Sequence, residues 1–317
     1  MMMKTALVCG GAGFIGSHLV KKLLNQNLRV VCVDNLISGD RRNITDLFAN
    51  PSFRFVEKNI VDKFEDEKPD FIFHLASPAS PNKKSPRSYI NFPVETLLAN
   101  SSGTYNLLEI AKKNKSKFLY ASSSEVYGDP QISPQKEDYF GNVNPTGIRS
   151  VYDEGKRFGE AITMAYFRKY SLDCRIVRIF NTYGPKMLWD DGRVVSNFIN
   201  QAIQNAAITV YGDGQQTRSI CYIDDMVEGL LKAMFSDGSR GEVINLGNPD
   251  EKTIFGLANL IKKLTNSKSE IVFEPLPEDD PKVRKPDIEK AKKLLSWEPK
   301  VSIDQGLLKT IKYFRAL

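Results

Sequence analysis

Residues 5–18 read TALVCGGAGFIGSH. A run of β-formers, TALVC, meets a glycine-rich turn, GGAGFIG, and then a helical pattern. Gly10, Gly13 and Gly16 recur at every third position. This G-x-x-G-x-x-G spacing differs slightly from G-x-G-x-x-G, but the physics is shared: a tight turn, a bare backbone that a pyrophosphate can approach, and close helix–strand packing. Such glycines alone also suit an ordinary turn. The strand–turn–helix setting favours a ligand cradle, and so does Asp34 at the end of the second β-run, RVVCVD. A carboxylate there accepts hydrogen bonds from an adenosine ribose and repels a 2′-phosphate, which points to NAD over NADP. Arg41 and Arg42 carry the opposite charge but read as surface residues.

Outward from the turn, β-rich runs alternate with helical patterns. TALV (5–8), RVVCVD (29–34), FRFVE (53–57), FIFHLA (71–76), FLYAS (118–122) and CRIVRI (174–179) read as strands. Most are nearly continuous apolar runs, as in a parallel sheet covered on both faces. Helices are expected at about 14–25, 94–114 and 152–170. The fold class is α/β, a Rossmann-type doubly wound parallel sheet with a smaller C-terminal substrate-binding α/β lobe. Residues 1–181, with segments returning at about 220–247, form the expected cofactor domain. The returning segments are a helix, DDMVEGLLKAMFS (224–236), and a strand, EVINLG (242–247). The remainder of 182–317, denser in Pro, Gly and charge, forms the second lobe.

Composition narrows the class. The chain has 317 residues, 41% of them hydrophobic, which suffices for a large core. It contains no apolar run of about 18 residues, so no transmembrane helix is expected. The start enters glycine-rich structure too early for a signal peptide. Cys9, Cys32, Cys174 and Cys221 lie far apart, with neither metal nor disulfide spacing, which fits a reduced cytoplasmic setting. His18 and His74 are the only histidines and have no partner ligands at usable spacing, so no metal is expected. The net charge of +6 is modest, and the lysine clusters at 112–117, 262–263 and 292–293 read as solvated surface rather than a nucleic-acid patch.

SVYDEGKR (150–157) sets Tyr152 and Lys156 four apart, on one face of a helix. Tyrosine ordinarily ionises near pH 10. A nearby ammonium and a positive nicotinamide ring lower that value toward a usable base. A lone Y-x-x-x-K is common on surfaces; downstream of a dinucleotide turn and of SSSEVYG (122–128) it reads as catalytic, with Ser123 bonding the oxygen that Tyr152 deprotonates.

GGAGFIG, Asp34, SSSEVYG and Y-D-E-G-K together resemble the extended short-chain dehydrogenase/reductases that act on nucleotide sugars. HLASPASP (74–81), NVNPTGIRSVYDEGKR (142–157), RIFNTYGP (178–185), DDGRVVSNFI (190–199), VYGDGQQTR (210–218), NLGNP (245–249) and RKPDI (284–288) narrow this to the UDP-glucuronic acid decarboxylase (UDP-xylose synthase) family, over nearly the whole chain. The resemblance implies a homodimer with tightly held NAD and a UDP-sugar substrate. It implies cofactor contacts from Gly10, Gly13, Phe14, Ile15, Gly16, Asp34, Asn35, Asn59, Ile60, Leu75 and Ser77, with Tyr152 and Lys156 at the nicotinamide end. It places Glu125 near C5 and C6 of the sugar, with a catalytic role, and makes Arg284 the second candidate, as carboxylate anchor or proton-delivery partner; arginine keeps its proton to above about pH 12, which favours the anchor. Asn181, Arg193 and Arg218 are assigned to the diphosphate or cofactor side and Tyr211 to the uracil.

Two features depart from the family. NKKSPRSYINFP (82–93) is longer and more basic than the family's linker, and Asn59 replaces an aspartate near the adenine, which its side-chain oxygen can mimic. Three rival readings stand. A 4,6-dehydratase needs an acid where this chain has Ser124, and a 4-epimerase needs no Glu125. A non-catalytic NAD sensor has no need of intact Ser123, Tyr152 and Lys156.

Overall fold

A computed structural model describes residues 3–63, 68–276 and 283–317. Its centre is a seven-stranded sheet of β1 (Thr5–Cys9), β2 (Arg29–Asp34), β3 (Phe53–Glu57), β4 (Phe71–His74), β5 (Lys117–Ser123), β6 (Cys174–Ile179) and β11 (Val243–Leu246). The order is β11-β6-β5-β4-β1-β2-β3, and every pair is parallel. The intervening chain makes three small sheets. β7 (Thr182–Tyr183) pairs with β10 (Cys221–Tyr222), and β8 (Ile208–Tyr211) with β13 (Ile271–Glu274). β9 (Thr217–Ser219) lies between β12 (Glu251–Thr253) and β14 (Val283–Arg284).

Helices cover both faces of the large sheet. They are α1 (Phe14–Asn25), α2 (Pro93–Leu98), α3 (Thr104–Asn114), α4 (Ser150–Tyr170) and α6 (Ile223–Phe235). α5 (Val194–Ile203), α7 (Ile254–Thr265), α8 (Glu289–Leu295) and α9 (Ile303–Phe314) complete the set. Alternate residues of β1 enter two cores. Ala6 and Val8 join Leu19, Leu23, Met226 and Leu230, while Leu7 and Cys9 join Leu107, Leu108 and Tyr166. That double burial, worth about 1.5–3 kcal/mol per large side chain, explains why the strands read as continuous apolar runs.

The strand order reverses at β1, with β2 on one side and β4 on the other. A crevice opens beyond the carboxyl ends of strands at such a reversal. The helix expected over 94–114 is interrupted. α2 and α3 are joined by a π-turn at Ala99–Gly103. Gly103 lets this turn lie against Ile60, where a Cβ would come within 2.7 Å of Ile60 Cδ1. Asn100 is thereby fully buried beside α4. β4 stops at His74, short of the expected Ala76, because the chain bends to meet Gly10. At Gly10, φ is +81° and a Cβ would sit 2.7 Å from Ala76 N, so only glycine fits.

Candidate active site

A cavity of about 950 Å³ opens over the crevice. One end is walled by the glycine turn, Gly10, Gly13, Phe14, Ile15 and Gly16, with Leu75 and Ser77 opposite. A Cβ at Gly16 would overlap Gly10 O, so that glycine serves helix–turn packing. A Cβ at Gly13 would meet only Gly10 O, at 3.2 Å, so the bare position leaves room for a ligand. The turn opens α1, whose N-terminus has no side-chain cap and whose first backbone N–H groups suit an anion. These residues fit a dinucleotide diphosphate.

The remaining expected cofactor residues lie at or just after the carboxyl ends of β2 and β3. Asp34 is buried and its carboxylate accepts from Ala12 N at 3.0 Å and Leu36 N at 2.9 Å, tying β2 to the turn. Burial raises its pKa above the usual carboxylate value, opposed by those two bonds. Asn35 Oδ1 accepts from Ile37 N, Asn59 Oδ1 accepts from Val61 N, and Ile60 is a core side chain. None of these four lines the cavity. Arg41 lies over the Phe48 and Phe55 rings and pairs with Glu57, while Arg42 pairs with Asp40.

At the other end, β5 and α4 bring Ser123, Tyr152 and Lys156 to the cavity. Lys156 is 2% exposed, and its Nζ donates to Ala121 O at 2.8 Å. Ser123 caps the 3₁₀ turn at Ser124–Tyr127, its Oγ accepting from Glu125 N at 3.2 Å. The same hydroxyl favours ionisation of the Tyr152 phenol. The expected lowering of Tyr152 by the ammonium is not what the protein alone provides. Burial pushes Tyr152 up to about 12, opposed by the Ser123 hydroxyl, and burial brings Lys156 down to about 7. Arg193, which opens α5 and is bonded through Asp191, is the nearby cation that favours the Tyr152 phenolate.

Glu125 is held by two guanidinium groups. Its Oε2 accepts from Arg149 at 2.5 Å and from Arg284 at 3.1 Å. Burial alone would raise Glu125, but Arg284, Arg149 and Arg218 bring it down to about 2. It is an anion at neutral pH. Arg284 also donates to Ser124 O at 2.8 Å, while its buried Nε has no hydrogen-bond partner. Arg218, expected beside the diphosphate, is paired in register with Arg284 on the adjacent strand. Asn181, Tyr211 and Arg193 line the same cavity.

Sequence reasoning missed several residues. Arg149 comes from the loop NPTGIRS, and its contact with Glu125 exists only after folding; its only sequence signal was a charge just before Tyr152. Asn100 bonds Ser77 Oγ and Tyr120 OH, each at 2.9 Å, bracing the floor beneath Lys156, whose Nζ lies over the Tyr120 ring. Tyr89 stacks on Tyr152 with ring centroids 4.9 Å apart. Gln135 is fully buried. It accepts at Oε1 from Lys285 N, donates from its own N to Lys285 O, and accepts at O from Asp287 N, fixing the segment that carries Arg284. The two histidines have local partners: His74 faces Thr104 Oγ1 and His18 faces Pro185 O. Among the described residues, no group of three or more His, Cys, Asp or Glu could hold a metal.

Residues 6–247 match the NAD dependent epimerase/dehydratase family. The chain is 49% identical to UDP-glucuronic acid decarboxylase 1 of Danio rerio, over 98% of this chain and 72% of that protein. UDP-glucose 4-epimerase of Thermotoga maritima, solved with UDP-glucose, superposes with a TM-score of 0.89 at 33% identity, covering 98% of this chain and 99% of that one. UDP-glucuronic acid 4-epimerase of Bacillus cereus, solved with UDP-glucuronic acid and NAD, gives 0.86 at 29% identity, with 98% and 99% covered. The glycine turn and the Tyr152–Lys156 helix lie within the matched span or the aligned chain, and the identity to the decarboxylase is the highest of these three. The chain therefore belongs to the NAD dependent epimerase/dehydratase family and, within it, to the UDP-glucuronic acid decarboxylases.

Proposed function

We propose that this chain converts UDP-glucuronic acid to UDP-xylose and carbon dioxide, leaving NAD as it began. One observation carries the reading: Glu125, gripped by Arg149 and Arg284, stands two residues from Ser123 at the end of the strand that serves Tyr152 and Lys156. When bound, NAD would supply a positive ring beside Tyr152 and a hydride acceptor for the sugar C4, the hydride going back to C4, with the proton from Tyr152, once carbon dioxide has left and C5 is protonated. Tyr152 takes the proton of the 4-hydroxyl, Ser123 orients that oxygen, and Lys156 holds the nicotinamide ribose and supports the phenolate. With a ketone at C4, the C5 carboxylate is β to a carbonyl, and the electrons of the breaking bond pass into an enolate. Ser123 and Tyr152 stabilise the negative oxygen as it forms.

Arg284 anchors the departing carboxylate; its unpartnered Nε is a donor suited to that anion. Ionised Glu125 repels the carboxylate and orients the water that returns a proton to C5. Ser124 cannot serve as the acid that a 4,6-dehydratase needs there. Arg193, Arg218 and Asn181 take the diphosphate side and Tyr211 the uracil, supported by their shared cavity. Asp34, Asn35, Asn59 and Ile60 support the adenosine end from the carboxyl ends of β2 and β3.

The cofactor lobe comprises 1–181 with about 220–247, and the rest of 182–317 binds the nucleotide sugar; the return of α6 and β11 to the large sheet supports this division. A homodimer is supported by the exposed apolar side chains of Val94, Leu97, Tyr105 and Phe158 on α2, α3 and α4. Four free, buried cysteines fit a cytoplasmic setting.

The test is purified protein with UDP-glucuronic acid. Carbon dioxide and UDP-xylose should form without net reduced cofactor, and Tyr152→Phe should abolish both products. Glu125→Gln should retain bound NAD yet stop after C4 oxidation. Conversion to UDP-galacturonic acid, or dehydration of dTDP-glucose with UDP-glucuronic acid ignored, would refute the decarboxylase reading.

A further inference from the structure

The stretch 80–91 includes most of the segment that is longer and more basic than the family's linker. It folds as a closed loop. Ser80 O accepts from Tyr89 N at 3.0 Å and Ser88 Oγ at 2.8 Å, and Asn91 Nδ2 donates to Lys83 O and Ser85 O. Its base is pinned by Ser80 Oγ, which donates to Asp191 O at 2.5 Å. From this loop Arg87 reaches the cofactor side of the crevice, where its Nη1 lies 3.5 Å from Asp40 Oδ2. Asp40 is tied to the glycine turn through its own N–H, which donates to Ala12 O at 3.0 Å.

Asp40 does not use up the Arg87 guanidinium. Arg42 already gives that carboxylate three side-chain hydrogen bonds of 2.6–3.1 Å. The buried Nη1 of Arg87 makes none. Arg87, Gly13, Phe14 and Ser38 line one cavity. The α1 N-terminus thus offers a diphosphate its positive end from one wall, and Arg87 offers a fork of donors from the other.

We propose that the 80–91 loop is a cofactor latch, in which Arg87 crosses the groove, engages the dinucleotide diphosphate and slows its release. This rests on NAD occupying the glycine-turn groove. Ser80 and Tyr89 anchor the two ends of the loop, through Asp191 O and the Tyr152 ring, so Arg87 can part from Asp40 without dislodging the loop's base.

The test uses holoenzyme and follows bound NAD over time after transfer into cofactor-free buffer, at low and at high salt. Arg87→Met should release NAD roughly tenfold faster at low salt, as expected for one lost charge-assisted contact. Salt should accelerate release from the wild type more than from the variant, because the charge it screens is gone. Arg87→Lys, which keeps the charge but not the fork, should fall between the two. Release from Arg87→Met within twofold of the wild type, or an unchanged salt dependence, would overturn the latch while leaving the NAD site intact. A wild type that carries and binds no NAD would overturn both.

Discussion

Lys156→Met should make the cofactor-stripped protein more stable while abolishing turnover. Lys156 is 2% exposed, and burial takes its ammonium from 10.5 down to about 7. At 1.36 kcal/mol per unit, the fold disfavours the charged form by about 5 kcal/mol. The sign follows from proton binding. Between about 7 and 10.5 the unfolded chain holds a proton that the folded chain has lost, so stability rises with pH across that window. Below it both states are protonated and the full penalty applies; above it both are neutral and the penalty is gone. Methionine removes the penalty but also the hydrogen bond to Ala121 O, worth about 1 kcal/mol. The expected net gain is about 4 kcal/mol near pH 6, shrinking and then reversing as pH approaches about 10. Urea unfolding of both proteins across that range measures the gap. A gap that does not change with pH, or a variant less stable near pH 6, would refute the reasoning.

Glu125→Gln should cost stability, with its pH dependence confined to the acid range. Its lowered pKa contributes stability above about 4.5 that is lost as pH falls toward about 2, so the deficit of the variant in urea unfolding should narrow over that interval. Gly16→Ala should displace the turn, because its methyl would overlap Gly10 O; NAD extracted from the purified variant should be substoichiometric. Gln135→Leu should lose roughly 2–4 kcal/mol in urea unfolding by stranding Lys285 N and Ile132 O, and should lower kcat more than it raises KM by loosening Arg284.

The large sheet was legible because burial on both faces leaves continuous apolar runs, and the glycine turn because its backbone conformation excludes side chains. Tyr152 and Lys156 were legible because four-residue spacing on a helix is a local property. The rest depends on contacts between distant segments. Arg149 meets Glu125 across 24 positions, and Gln135 meets Lys285 across 150. Asn100 looked like one more residue in an unbroken helix until the π-turn turned it inward. The state of Tyr152 in the protein alone was not legible for a related reason: a neighbouring charge can be read from spacing, but the burial of both partners cannot.

The return of α6 and β11 to the large sheet has a consequence for how the molecule can come apart. β11 supplies the strand beyond β6, and α6 fills one of the two cores with Met226, Leu230 and Met234. A fragment ending near residue 181 would expose the edge of β6 and leave that core without its wall. Residues 182–219 are therefore no appendage that could be trimmed away. The chain passes through them on its way from β6 to α6, so cutting there severs the covalent path to a helix and a strand that the large sheet needs.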